Sequence, residues 1–295
     1  MILANLKARV KQIEIKTSRL VTEQFVGLYH SAFMHQGIEF SELREYVPGD
    51  DISEIDWYST AKFQKPYIKT FVEERELPVH ILVDISGSMI SKNHGRAKLE
   101  IAAELAGLLS LSAIRNNNRV SLTLFSNEEK LHLPLKRGRK HWQRIIHELL
   151  SIEVHHEKSD FKQSFTGFNN ASHRRGIVFI ISDFIGAEID SSLRGMSRHH
   201  DTVAIRLRDY YDSELPEGGL LTVEDPETGR QQLLPVFSKA FRKRYTALQK
   251  KNHDSVKMDL LNSKVDLLDI GTEGDSFKPL IQFFKTRHKR KTLSQ

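Results

Sequence analysis

One acid and two hydroxyls alternate along the stretch "DISGS", as Asp84, Ser86 and Ser88. Alternate residues of an extended or looped backbone project the same way. The three side chains therefore point at one spot, and every donor among them is oxygen. That set suits a hard cation, magnesium or manganese, and not zinc. A second acid, Asp183, closes the stretch "GIVFIISDF". Each acid follows an unbroken apolar run. If the two runs are neighbouring strands, Asp84 and Asp183 meet at one rim. Two buried carboxylates there repel unless a cation lies between them.

The elements that must position these residues follow from the pattern around them. "VHILVD" is a continuous apolar strand, as expected where both faces of a parallel strand are covered. After Pro78, strands and helices alternate. Strands are predicted in "RVSLTLFS", "GIVFIISDF", "DTVAIRLRD" and "KVDLLDI", with "EEKLHLPL" pairing beside the first of these. Helices are predicted in "GRAKLEIAAELAGLLSLSAIRNN", "RKHWQRIIHELLSI", "DFKQSFTGFNNAS", the long basic stretch after Phe237, and "SFKPLIQFFKTRH". "GLLTVEDPETGRQQLLPV" reads as a hairpin around Pro226 and Gly229. Such alternation predicts an α/β fold, a doubly wound, mostly parallel sheet of the Rossmann type. Its site lies at the carboxyl ends of the strands, near the switch point. Residues 3–20 carry helical spacing. Residues 37–75 alternate apolar and polar positions around the turn signal "PGDD", which predicts a β-rich segment.

"DISGSM" resembles the metal-ion-dependent adhesion site of the von Willebrand factor A fold. In that family both serines bind the metal, two acids act largely through water, and a loop Thr completes the set. Asp84, Ser86, Ser88 and Asp183 match. At the Thr position the counterpart is Ser159 in "SDF", with Thr166 nearby as the alternative. The region before it is similar to domain of unknown function 58, whose members carry "E-F…R-x-Y…G-D-D…I-D-W" ahead of a von Willebrand A domain. Glu39, Phe40, Arg44, Tyr46, Pro48, Gly49, Asp50, Asp51, Ile55, Asp56 and Trp57 match, as do Lys69 and Glu74. Ser53, Glu54 and Lys62 stand where the family favours Arg. If those arginines grip an acidic partner, the grip is weaker here.

The resemblance implies two regions. Residues 1–77 would be an N-terminal helix and β segment packed on the main domain, and 78–295 a von Willebrand A-like domain. About 40 residues bury too little apolar surface to fold alone, so Trp57 is expected in a core between segment and sheet. The resemblance also implies a non-enzymatic adaptor or co-chaperone working with an AAA+ ATPase of the MoxR type. The partner, that ATPase or its client, would supply an acidic residue to the metal.

Other features have plainer readings. The acids of "PGDDISEID" lack EF-hand spacing. Asp50 or Asp51 is expected to cap a turn or pair with Arg44. The doublets His155–His156 and His199–His200 are poor metal geometry and read as solvated loop histidines. The tail "KTRHKRK" has no interleaved aromatics and reads as a solvated terminus, and Arg242, Lys243 and Arg244 as a solvated helical face. A nucleic-acid binder is thus the weakest of three classes.

The chain has 295 residues, a formal charge of +6 and no Cys, which excludes disulfides, zinc ribbons and thiol nucleophiles. There is no run of about 18 apolar residues, and the first apolar run is too short for a signal-peptide core. A cytoplasmic protein is expected. The enzymatic alternative is a metal-dependent hydrolase acting on phosphate esters. Haloacid-dehalogenase-like enzymes, which also begin their site with an Asp after a strand, use D-x-D with the first acid as nucleophile, and here Ser86 stands in place of the second acid. No P-loop, G-x-S-x-G or G-x-G-x-x-G is present.

Overall fold

Val79–Asp84 is apolar except at His80 and Asp84, and it lies at the centre of a six-stranded sheet. The computed structural model describes residues 2–33, 39–72, 76–90, 96–153 and 156–293. Two compact units are present, Met34–Glu76 and the remainder.

The chain starts with helices α1 (Ile2–Leu20) and α2 (Glu23–Phe33), which belong to the larger unit. The patterning of α2 was not among the predicted elements. Its Phe25, Tyr29 and Phe33 are buried against Phe284 near the far end of the chain, a contact that no local spacing reveals.

The smaller unit contains β1 (Glu39–Glu45), a 3-10 turn (Ile52–Glu54), α3 (Trp57–Phe63) and β2 (Tyr67–Val72). Strands β1 and β2 pair antiparallel, with Glu45 opposite Tyr67. Among its described residues Ile68 is buried, and Ile55 bridges to it. Trp57 is 69% exposed, against the expectation of a buried ring. It opens a two-turn helix that turns Ser59 inward instead. Glu74 lies outside the described residues.

The larger unit continues through β3 (Val79–Asp84), α4 (Gly87–Ile90), α5 (Lys98–Arg115), β4 (Val120–Phe125) and β5 (Glu129–Lys136). Next come α6 (Arg139–Ser151), α7 (Phe161–Ala171), β6 (Ile177–Ser182), α8 (Ser191–His199) and β7 (Asp201–Arg208). The hairpin β8 (Leu220–Glu224) and β9 (Gln231–Pro235) precedes α9 (Lys239–Asn262), β10 (Asp266–Gly271) and α10 (Phe277–Leu293).

The sheet order is β10-β7-β6-β3-β4-β5. All pairings are parallel except β4 with the edge strand β5. The chain winds outward from β3 through β4 to β5, then crosses to β6 and winds the other way. This is the expected doubly wound α/β sheet, and its switch point lies between β3 and β6. Val79, Ile81 and Val83 enter the core beneath α1, α2, α5, α6 and α10, whereas Leu82 enters the core beneath α7 and α8. Period-2 side chains divide in this way when helices cover both faces. Gly107 lets α5 approach its neighbours closely. A Cβ there would meet Ile146 at 2.7 Å, and the Gly107 carbonyl accepts from Trp142 Nε1 at 2.8 Å.

Two polar expectations are corrected by packing. His200 is buried against His80 and Phe168, so it is no solvated loop residue, and His155 lies outside the described residues. The basic tail is not simply a solvated terminus. It continues α10, and Arg287 is buried, pairing with Asp201 and Asp266 and lying over the Phe33 ring. Arg242 of α9 is also engaged, bonding the Val236 carbonyl, whereas Lys243 and Arg244 are exposed. Among the described residues no helix is long and apolar enough to cross a membrane.

Candidate functional site

The carboxyl ends of β3, β6 and β7 meet at the switch point. Val83 pairs with Ile181, so Asp84 stands beside Ser182, the last residue of β6, with Asp183 directly after it. Asp84 is 1% exposed, Ser86 2%, Ser88 3% and Asp183 4%. Asp84, Ser86 and Ser88 are all buried within one short loop after β3.

Asp84 organises that spot. Its Oδ1 accepts from the Ser86 backbone N–H at 2.9 Å and from Ser159 Oγ at 2.5 Å. Its Oδ2 accepts from Ser182 Oγ at 2.6 Å, and the same Ser182 oxygen accepts from the Phe184 N–H at 2.8 Å. Ser86 Oγ and Ser88 Oγ lie 3.2 Å apart. Ser159 reaches the site because its loop is pinned at several points. The Glu157 carbonyl accepts from the Gly87 N–H, the Ser126 carbonyl accepts from the Asp160 N–H, and the Glu157 carboxylate takes Ser126 Oγ and Lys130. Thr166 is exposed on α7, so Ser159 and not Thr166 is the hydroxyl at Asp84.

Asp183 has a different partner. Lys98, at the start of α5 and 2% exposed, donates to Asp183 Oδ2 at 2.7 Å and also pairs with Asp212 at 2.9 Å. Asp212 comes from a 3-10 turn after β7. The charges shape the titration. Burial first, and the Asp183 charge second, push the Asp84 carboxyl up to about 6. Burial likewise raises the Asp212 carboxyl, against the pull of Lys98. For Lys98, burial opposes the charge, but Asp183 and Asp212 outweigh it and hold the ammonium above its ordinary value.

Lys98, Ser182 and Asp212 were not singled out from the sequence. Ser182 carried a signal, since it directly precedes Asp183 at a strand end. Lys98 and Asp212 carried none, because their pairing spans 114 residues.

The sequence matches the family described as "Protein of unknown function DUF58" over residues 42–255. The chain belongs to the DUF58 family. A similar chain is Uncharacterized protein Rv1480 of Mycobacterium tuberculosis, 23% identical over 287 residues, covering 96% of this chain and 90% of that one. A shorter relative from Mycobacterium avium is 24% identical over 133 residues, covering 45% of this chain and 78% of its own length. Among solved structures, the conserved hypothetical protein BatB from Bacteroides thetaiotaomicron is 16% identical with a TM-score of 0.44, covering 72% of this chain and 99% of that one. The SpRpn10 VWA domain is 12% identical with a TM-score of 0.36, covering 70% and 94%.

The DUF58 signature ahead of the sheet has its own internal logic. Asp50 receives both Arg44 guanidinium nitrogens, at 2.7 and 2.8 Å, and the Val47 N–H at 2.9 Å. Arg44 holds the Asp50 carboxyl below the usual carboxylate range. Asp51 caps the following 3-10 turn through the Ser53 N–H. Asp56 accepts from Ser59 Oγ at 2.7 Å. Both readings offered for "PGDD", a cap and an Arg44 pair, are therefore present. The DUF58 acids of this segment shape a turn.

Proposed function

We propose that this DUF58 chain is a non-enzymatic protein-interaction module whose contact is completed through a divalent cation, magnesium or manganese. Asp84, Ser86, Ser88 and Ser159 would hold the ion, with Asp183 behind them. The observation that carries this reading is an uncompensated charge. At this buried rim Asp84, Asp183 and Asp212 have one buried ammonium among them, Lys98, which pairs with Asp183 and Asp212 and leaves Asp84 to hydroxyl and backbone donors. Buried carboxylates in such excess either take up protons or bind a cation.

The donor set fits. Ligands at 2.0–2.1 Å in adjacent octahedral positions lie about 3 Å apart, and the Ser86–Ser88 oxygen separation of 3.2 Å supports that placement. When bound, the ion supplies an electrophilic centre that accepts a further carboxylate oxygen. The residues of this chain do the rest. Ser182 and the Ser86 N–H fix the Asp84 carboxylate, and Lys98 neutralises Asp183. Few full negative charges are then left to touch the ion, so it stays receptive to an acid from a partner. The partner that the family resemblance implies is an AAA+ ATPase of the MoxR type or its client.

Affinity purification from native lysate tests this, using wild-type chain and Asp84→Ala, each with magnesium or EDTA. The expected result is a set of proteins, including an AAA+ ATPase, retained only by wild type with magnesium. Equal recovery in all four arms would remove the metal site as the contact surface.

A further inference from the structure

The hairpin β8–β9 is an insertion between β7 and α9, and its strands stand largely in solvent. Leu220 is 65% exposed and Leu233 is 64% exposed. Its turn is different. Asp225 locks the turn by accepting from the Glu227 N–H at 3.0 Å and Thr228 Oγ1 at 2.6 Å, and the Gly229 N–H returns to the Asp225 carbonyl at 2.7 Å. Gly229 takes φ 68°, the left-handed conformation that this turn needs.

This turn is laid over the "DISGS" loop. A Cβ built on Gly87, between the two serines, would overlap the Pro226 carbonyl oxygen, so only glycine admits the hairpin there. His156 Nδ1 donates to that same carbonyl at 2.8 Å. The next residue is Glu227. Its side chain is 17% exposed, and its nearest cation, Lys158, is 3.7 Å away. The Glu227 backbone nitrogen lies 3.3 Å from where a Gly87 Cβ would stand, so the turn brings this residue against the serine loop and a backbone contact keeps it there.

We propose that Glu227 is the site's own carboxylate ligand, placed by the hairpin turn where a partner's acid would otherwise go. The inference rests on the metal-dependent reading above. It gives the exposed hairpin a purpose: a partner acid must displace Glu227 from the site. Glu227 is thus a specificity-determining residue. Only acids that compete with a tethered carboxylate gain access.

The test uses the full chain and manganese(II) alone as the probe. Binding is measured by titration, and the water carried by the bound ion by proton relaxation. Wild type, Glu227→Gln and Asp84→Asn are compared. Glu227→Gln should bind manganese roughly ten-fold more weakly, the scale of losing one supporting carboxylate. Its bound ion should carry more exchangeable water than wild type. Added acetate should remove that extra water in Glu227→Gln and change wild type little. Unchanged thermal unfolding of Glu227→Gln in EDTA confirms that the variant folds. Equal affinity and equal relaxation in wild type and Glu227→Gln, with binding lost in Asp84→Asn, would overturn the role of Glu227 and leave the metal site standing. No manganese binding by wild type, or binding that Asp84→Asn leaves intact, would overturn both.

Discussion

Asp84→Asn should stabilise the chain in EDTA and make it indifferent to magnesium. The wild-type carboxyl is pushed from 3.8 up to about 6, chiefly by burial and then by Asp183. A folded pKa above the unfolded one means that the fold favours the protonated acid. That contribution is fully present below about pH 4 and is lost as pH rises through about 6. At pH 7.5 the ionised group therefore costs about 3 kcal/mol, at ~1.4 kcal/mol per pKa unit. Asn removes the charge and keeps the geometry. Its oxygen can accept from the Ser86 N–H and Ser159, and its amide can donate to Ser182. With about 2–4 °C per kcal/mol for a chain of this size, the variant in EDTA should melt about 6–12 °C above wild type. Magnesium should then lift wild type alone, by about 2.7 kcal/mol at a hundred-fold excess over its dissociation constant. The two curves should approach or cross. Calorimetric or fluorescence melting at pH 7.5, with and without magnesium, reads this directly. A variant that melts below wild type in EDTA, together with a wild type that magnesium does not move, would refute the reasoning.

Lys98→Met leaves Asp183 and Asp212 buried without their shared cation, so urea unfolding should show a loss of about 3–5 kcal/mol. Magnesium should recover more of that loss than it adds to wild type. His80 and His200 are held neutral, pushed down to about 3 and about 4, mainly by burial. With folded values below the unfolded one, each contributes stability that is present above pH 6.5 and falls away toward pH 4, at about 1.4 kcal/mol per pH unit. Asp84 acts in the opposite direction over part of that window. The check is therefore the difference between wild type and His80→Asn, whose urea midpoint should depend less on pH between 7 and 5. Finally, purified chain with magnesium should show no turnover of nucleotides or aryl phosphates, because Ser86 stands where a second acid would protonate a leaving group. Turnover that Asp84→Ala abolishes would restore the hydrolase reading.

The sheet was legible because its strands report their own environment. "VHILVD" and "GIVFIIS" are apolar but for His80 and the polar residues that end them, which two-sided burial explains. Their terminal acids then fall at the switch point by geometry. The parts that were not legible depend on pairings distant in sequence. Lys98 begins a helix like any surface lysine, and Asp183 and Asp212, 85 and 114 residues on, take it inside. Arg287 sits in a basic run that suggests solvent, until Asp201 and Asp266 are placed beside it. Trp57 misled in the other direction, since a large aromatic in a family signature suggests a core, and here it is exposed.

The aromatic contact between α2 and α10 has a consequence for how the chain is made. Phe25, Tyr29 and Phe33 leave the ribosome early, but their partner Phe284 follows about 250 residues later. At about 5–20 residues per second, these rings wait on the order of 10–50 seconds for their cover. Arg287, which lies over Phe33 and pairs with Asp201 and Asp266, arrives later still. During that interval the nascent chain presents an apolar face that other molecules can bind. A nonsense codon before α10 would leave that face without Phe284 and Arg287, although Phe179 would still meet Phe33.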